Sequence, residues 1–275
     1  MRTVTAIFAA SLFFFIAAAA HAGVVLQEQE TIDRGSGKPE TEQRTVMVQG
    51  NQQKTITSRS QVLIDLDKGS MYFISPERKA YVEMAFPPAG KMGQMMAQRM
   101  AAMDFKKTGK QQTVAGYSCD VYTGGGDTGN GKYSVIGCFS KSAPGAADFT
   151  AFQKAMAEKL KGSTGAASSI PNGVPLEVTS TSKMTSFNMP GMSADQAAKI
   201  KDMLAKRPPV TNKTIVTKVT VQEIAASDFT IPAGYQQQQM PQMSGGASGA
   251  PASGGGATSS SSAPSSSSSN ASTAH

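Results

Sequence analysis

The chain has 275 residues with 26 basic and 19 acidic side chains, a formal net charge of +7, two histidines, two cysteines and no tryptophan. His21 falls in an apolar leader and His275 is the last residue, so the body of the chain holds no imidazole, which removes Ser-His-Asp and Cys-His nucleophilic catalysis, His-ligated zinc and His acid–base chemistry together. What remains reads as a binding or scaffolding β-domain and not an enzyme, with no cofactor expected.

The chain begins with Arg2, continues without charge through Phe13-Phe14-Phe15, and reaches Ala20-His21-Ala22. A basic start, an apolar centre and an A-x-A site predict a signal peptide over residues 1–22, cleaved before Gly23. An uncleaved membrane anchor is the alternative, set aside because of the small-residue site. No cysteine stands at the cleavage point to take a lipid. The expected location is periplasmic or secreted. Losing Arg2 still leaves a basic protein, but its Lys and Arg are scattered singly or in pairs such as Lys106-Lys107. That pattern gives no dense basic run for nucleic acid, while an anionic membrane surface remains an allowed partner.

From Gly23 to Tyr235 the length suits one all-β or α+β domain. Period-2 alternation at Val46 and Val48, at Val62, Ile64 and Leu66, at Met71 and Phe73, and at Tyr81 to Met84 predicts short strands. Turns such as Gly50-Asn51 and Asp67-Lys68-Gly69 join them as an antiparallel meander. Asp65 and Asp67 are read as solvated turn acids, not as a general acid and base.

After Pro87-Pro88 a helix is predicted from about Ala89 to Met103, with Met92, Met96, Met100 and Met103 on one stripe. Methionine is in excess, 16 in all. Thioethers suit Cu(I), but ordinary core packing and an adaptable apolar groove explain the same spacing, and no metal is assigned. These four residues are the candidate hydrophobic ligand-binding set.

Strands follow at about Val114 to Tyr122 and Tyr133 to Phe139, bridged by a glycine-rich loop from Gly124 to Gly131. The loop lacks the Lys-Ser/Thr of a P-loop and joins two strands, so a hairpin is expected. Cys119 and Cys138 flank it. In an oxidising compartment they read as a structural disulfide, with a catalytic one as a minor alternative. A second helix, from about Ala147 to Lys161, puts Phe149, Phe152, Met156 and Leu160 on its apolar face. A third opens with a Ser193/Gln196 capping box and stops at Pro208. Long strands are predicted near Val174 to Met184 and Lys213 to Ile224. Asn212-Lys213-Thr214 and Asn270-Ala271-Ser272 match a glycosylation sequon of little weight. From 236 to 275 no Asp, Glu, Lys or Arg occurs, and Ser, Gly, Ala, Pro and Gln dominate. Such a segment buries too little apolar surface to offset its ordering entropy and is read as a disordered tail. The order of elements predicts a mainly β, α+β domain over 23–235: a curved antiparallel sheet with helices packed on one face.

Two segments carry a resemblance. Lys107 to Tyr122, with Thr108-Gly109, Ala115-Gly116-Tyr117 and Cys119, is similar to the core of the DUF4412 family, and Phe229-Thr230-Ile231-Pro232-Ala233-Gly234-Tyr235 looks like an ending shared by that family and LolA-like exported proteins. The resemblance implies a fold like LolA and LolB, a strongly curved, incomplete antiparallel barrel whose concave face is covered by helices. It also implies a lipid or lipoprotein acyl chain as partner. After Cys138-Phe139-Ser140 the chain lacks the aromatic segment expected of relatives, so no binding residue is carried over there. The alternative is an envelope structural or interaction domain with a dry core. Oligomeric state is not set by the sequence.

Overall fold

The computed structural model describes residues 22–35, 37–90, 93, 96, 104–127, 131–164, 170–186 and 192–239. The leader, most of the expected methionine helix and the segment from 240 onward lie outside the described residues.

Six strands come first: β1 (Ala22–Asp33), β2 (Glu40–Gln49), β3 (Gln52–Ile56), β4 (Gln61–Asp65), β5 (Ser70–Ser75) and β6 (Ala80–Ala85). Each pairs antiparallel with the next. Then come β7 (Lys106–Val114), β8 (Tyr117–Asp127), β9 (Gly131–Ser140), helix α1 (Ala146–Thr164), β10 (Val174–Met184), helix α2 (Ala194–Lys206), β11 (Val210–Glu223), a 3-10 turn (Ala226–Phe229) and β12 (Gln236–Gln237). The sheet order is β12-β6-β5-β4-β3-β2-β1-β11-β10-β9-β8-β7. Two meanders therefore lie back to back, joined where β1 pairs antiparallel with β11 from Ala22↔Glu223 to Asp33↔Thr211. The sheet is open and strongly curved, an incomplete barrel. Edge strand β7 comes near β11 although three strands separate them in the order. The Gln112 amide also reaches the Glu177 carboxylate of β10 at 3.5 Å. Bulges at Gln27/Glu28 and Pro175/Glu177 add local twist.

In the β1–β6 half the register has no bulge from strand to strand, so alternation sorts side chains cleanly onto two faces. Val24, Leu26, Val46, Val48, Ile64 and Leu66 join one core cluster with Phe149, Phe152 and Leu160 of α1. Leu63, Tyr72 and Ile74 join a second cluster on the other face, with Ile224 and Phe229. The stripe expected for α1 is thus the buried one, with Phe152 fully buried and Met156 packed at its margin. Gly145 lets the helix start approach β1: its φ is +72°, and a Cβ there would lie 1.9 Å from Val24 Cγ2. α2 opens with the expected capping box, the Gln196 amide donating to Ser193 Oγ at 3.3 Å and the Ser193 amide to Gln196 Oε1 at 3.0 Å. It buries Leu204 and leaves Met203 exposed.

Four expectations need correction. Val114 to Tyr122 is not one strand: Ala115 and Gly116 both take positive φ, 50° and 83°, the signature of a tight type I′ hairpin turn between β7 and β8. The glycine-rich stretch is not all loop either. Gly124, Gly125 and Gly126 pair with Val135, Ser134 and Tyr133; at Gly125 a Cβ would meet the Tyr133 carbonyl oxygen at 2.4 Å, so glycine is there for close strand approach. Asp65, read as solvated, is buried. Its carboxylate accepts from the Gln52 side chain at 2.8 Å and the Lys68 amide at 3.0 Å. Burial opposes its ionisation, but these donors hold its pKa below the ordinary 3.8. The tail read as disordered from 236 begins instead with a paired strand: β12 lies parallel to β6, with the Gln236 amide donating to the Lys79 carbonyl at 2.9 Å and the Gln238 amide to that of Tyr81 at 2.7 Å.

Candidate functional site

Of the four methionines singled out, Met92, Met100 and Met103 lie outside the described residues. Met96 is helical, half-buried and packed against the α1-side core. Among the described residues no group of three or more His, Cys, Asp or Glu is placed to hold a metal ion. Cys119 and Cys138 are bonded to each other, with their Cα atoms 5.4 Å apart across β8 and β9. Closing a loop of that separation contributes ~3 kcal/mol in the chain-entropy account. Both cysteines are buried in the core, and no free cysteine remains among the described residues.

The register places two rows on the face that α1 covers. One reads Val24, Val48, Gln53, Ile64, Met71, Met84 from β1 to β6, and the next reads Leu26, Val46, Thr55, Val62, Phe73, Val82. At the β1–β2 end these side chains disappear beneath the helix. At the β5–β6 end they do not: Val62, Met71, Val82 and Met84 are half-buried and Phe73 is 43% exposed. Phe73 and Val82 of this strip border a cleft of about 220 Å³ whose other lining residues include Gln61, Arg78, Ile74 and Tyr81 of the other face, and Gln238. Gln61 Oε1 is buried there without a hydrogen-bond partner. Alternation in the sequence marks Phe73 and Val82 only as sheet residues; that they escape the helix depends on where α1 lies, which no local pattern carries.

Further along the same face the character changes from apolar to ionic. Glu28 lies opposite Arg44 and is nearly fully buried; Arg44 Nε donates to it at 2.7 Å, and the same guanidinium stands 3.5 Å from Glu30. Asn212 donates its amide to Glu30, leaving its Oδ1 buried without a partner. Burial pushes the Glu28 carboxyl up from 4.5, Arg44 opposes that shift, and Glu30 adds to it.

The opposite face is covered by the chain after β11. Ile224, Phe229, Ile231 and Tyr235 pack over Met47, Leu63, Tyr72 and Tyr81. Lys54 on β3 is buried among them and donates to the Asp228 carbonyl at 2.7 Å. The ending that carried the resemblance is therefore a strap, with Phe229 as its anchor and Gly234 turning at φ +82°.

Residues 38–171 match the model of the family described as a domain of unknown function, DUF4412. That span includes the Lys107 to Tyr122 segment and stops short of the strap. No curated protein matches the chain in sequence. Among solved structures, PNGF-II is similar at 8% identity and a TM-score of 0.41 over 80% of this chain, which spans only 31% of the PNGF-II chain. A putative outer membrane lipoprotein-sorting protein domain from Vibrio parahaemolyticus is similar at 7% identity and a TM-score of 0.31, covering 77% of this chain and 91% of that one. A LolA superfamily protein from Nitrosomonas europaea is similar at 7% identity and a TM-score of 0.30, covering 76% and 90%.

Proposed function

We propose that this is an exported, non-enzymatic binding protein that holds a lipid, an acyl chain or another hydrophobic ligand in a bacterial cell envelope. The observation that carries the reading is the apolar strip of Val62, Met71, Phe73 and Val82, left partly uncovered by α1, with Phe73 and Val82 bordering a cleft and Met96 packed against the same core. A hydrocarbon chain needs no polar chemistry to bind such a strip: each buried methylene contributes ~0.8 kcal/mol. Methionine and phenylalanine at its margin supply a surface that refits around varied chains. The Cys119–Cys138 bond supports an oxidising compartment, periplasmic or secreted.

Mass spectrometry of gently extracted, purified protein tests the reading. A co-purifying lipid is expected, together with displacement by a fluorescent fatty acid. Replacing Met96 by Gln is expected to weaken that probe more than it lowers stability. A second reading, a structural or interaction domain with a dry core, is favoured by one observation: Phe149, Phe152 and Leu160 already fill the covered face over β1 and β2. Absence of bound lipid and of probe binding, with Met96→Gln costing several kcal/mol of stability, would leave that reading alone.

A further inference from the structure

Away from the apolar strip, strands β9 and β10 present a block of side chains with no role in the reading above. Lys132 lies directly opposite Lys183, and Ser134 directly opposite Thr181. Residues two apart on a strand share a face, so two ammonium groups and two hydroxyls project together. They line a cleft of about 420 Å³ with Gly126, Asp127 and Tyr133. Neither lysine is in an ion pair among the described residues, whereas the neighbouring Lys213 is held by Glu177 at 3.0 Å. Like charges facing each other across a strand pair repel. Asp127 stands directly opposite Lys132 on the β8 side, so the cleft holds two ammonium groups and one carboxylate and keeps a net positive charge. An occupant that brings negative charge and accepts hydrogen bonds from the hydroxyls offsets that excess. A phosphate group does both.

The next position on this face adds a second character. Ile136 continues the Lys132, Ser134 row, sits opposite Thr179 and is 53% exposed. An exposed aliphatic side chain beside unpaired lysines suits a surface that is anionic at its outer layer and apolar beneath. Soluble phosphate would have no use for it. Charge complementarity and the isoleucine together select the bilayer over a free anion.

We propose that the β9–β10 face, through Lys132, Lys183, Ser134 and Thr181 with Ile136 beside them, docks on the phosphate head groups of an anionic lipid surface. The full chain, freed of its leader, would be sedimented with vesicles of phosphatidylcholine alone and of an equimolar mixture with phosphatidylglycerol. Binding is expected to the mixed vesicles only and to fall as salt is raised. Each lysine near an anionic surface contributes about a fivefold factor, so the Lys132→Gln/Lys183→Gln double variant should bind about twenty-five-fold more weakly. Lys132→Arg/Lys183→Arg should retain most binding. Ile136→Ser should weaken vesicle binding a fewfold and leave any binding of glycerol phosphate in solution unchanged. Unfolding curves on each variant separate lost docking from lost structure, since these side chains lie outside both core clusters. Equal binding to both vesicle types, or no loss in a folded double variant, overturns the proposal. So does binding of glycerol phosphate or inorganic phosphate without any binding to vesicles, which would make the cleft a soluble-anion site. The outcome does not depend on whether the apolar strip holds a ligand.

Discussion

The two faces of the β1–β6 meander use the same strands and the same alternation, yet they are closed differently. One face is covered by α1, which crosses over β1 and β2 and leaves Phe73 and Val82 at its margin. The other is covered by a strap that the chain supplies after its last long strand, anchored by Phe229 and fastened by Lys54. A helix is a rigid cylinder that can cover only the strands it touches. An irregular strap can follow the sheet further, and here it reaches β6 as β12. The open apolar surface therefore follows from how far each cover reaches along the sheet.

The largest effect is expected at the helix. Phe152→Ala removes a fully buried ring from beneath α1 and should cost about 3–5 kcal/mol in chemical denaturation. A much smaller loss would mean that the covered face is loosely filled and the contrast between its two ends is weak. On the strap side, Lys54→Met should cost about 1–3 kcal/mol, because the Asp228 carbonyl loses its buried donor. Limited proteolysis should then cut after Ile224 faster than in the parent. An unchanged cleavage rate would assign the strap to Phe229 alone.

Acidity distinguishes the faces with opposite signs. Burial raises Glu28 above 4.5 on the α1 side, so the stability it contributes is present below that value and is lost as pH rises through the raised folded value. Glu28→Gln should therefore gain on the parent as pH climbs from 4.5, in melts followed across the acid range. On the strap side burial lowers Lys54 from 10.5, with Asp228 opposing. Its contribution is present above 10.5 and is lost as pH falls through the lowered value, and Lys54→Met should abolish that alkaline dependence. The smallest change in stability is expected at the open end. Phe73→Gln should shift unfolding by no more than about 0.5 kcal/mol, as for an exposed site, while weakening a fatty-acid probe; a loss of several kcal/mol would make Phe73 core.

Much of this frame is legible in the residues. Val62, Ile64 and Leu66 alternate so regularly that β4 and its buried face follow directly, and Phe149, Phe152 and Leu160 define α1 by spacing. β7 was not legible, because Lys106 to Val114 is an exposed polar edge with no apolar face to alternate. The turn at Ala115 was hidden by an alanine at positive φ, a conformation few sequences announce. β1 mixes Val24 and Leu26 with a buried Glu28 whose partner lies on the next strand. Lys54 was invisible for another reason: it sits in the polar run Gln52-Gln53-Lys54-Thr55, and its acceptor is 174 residues away. The margin of the candidate site was unreadable for the same reason of distance, since Phe73 differs from Met71 only in what α1 fails to cover.

The pairing of β1 with β11 has a consequence for the order in which the molecule assembles. β1 can pair with β2 as soon as the first hairpin closes, but its other edge waits for Val210–Glu223, nearly the whole domain later. Closing so long a loop is slow, and sheets dominated by distant pairings fold in milliseconds to seconds. Throughout that interval each meander carries one long, unprotected strand edge, the kind of edge that pairs with other chains. Fast refolding at high protein concentration should thus be limited by self-association through β1 or β11, and not by formation of either meander. A chain in which β11 precedes β1 through a short linker should escape that limit.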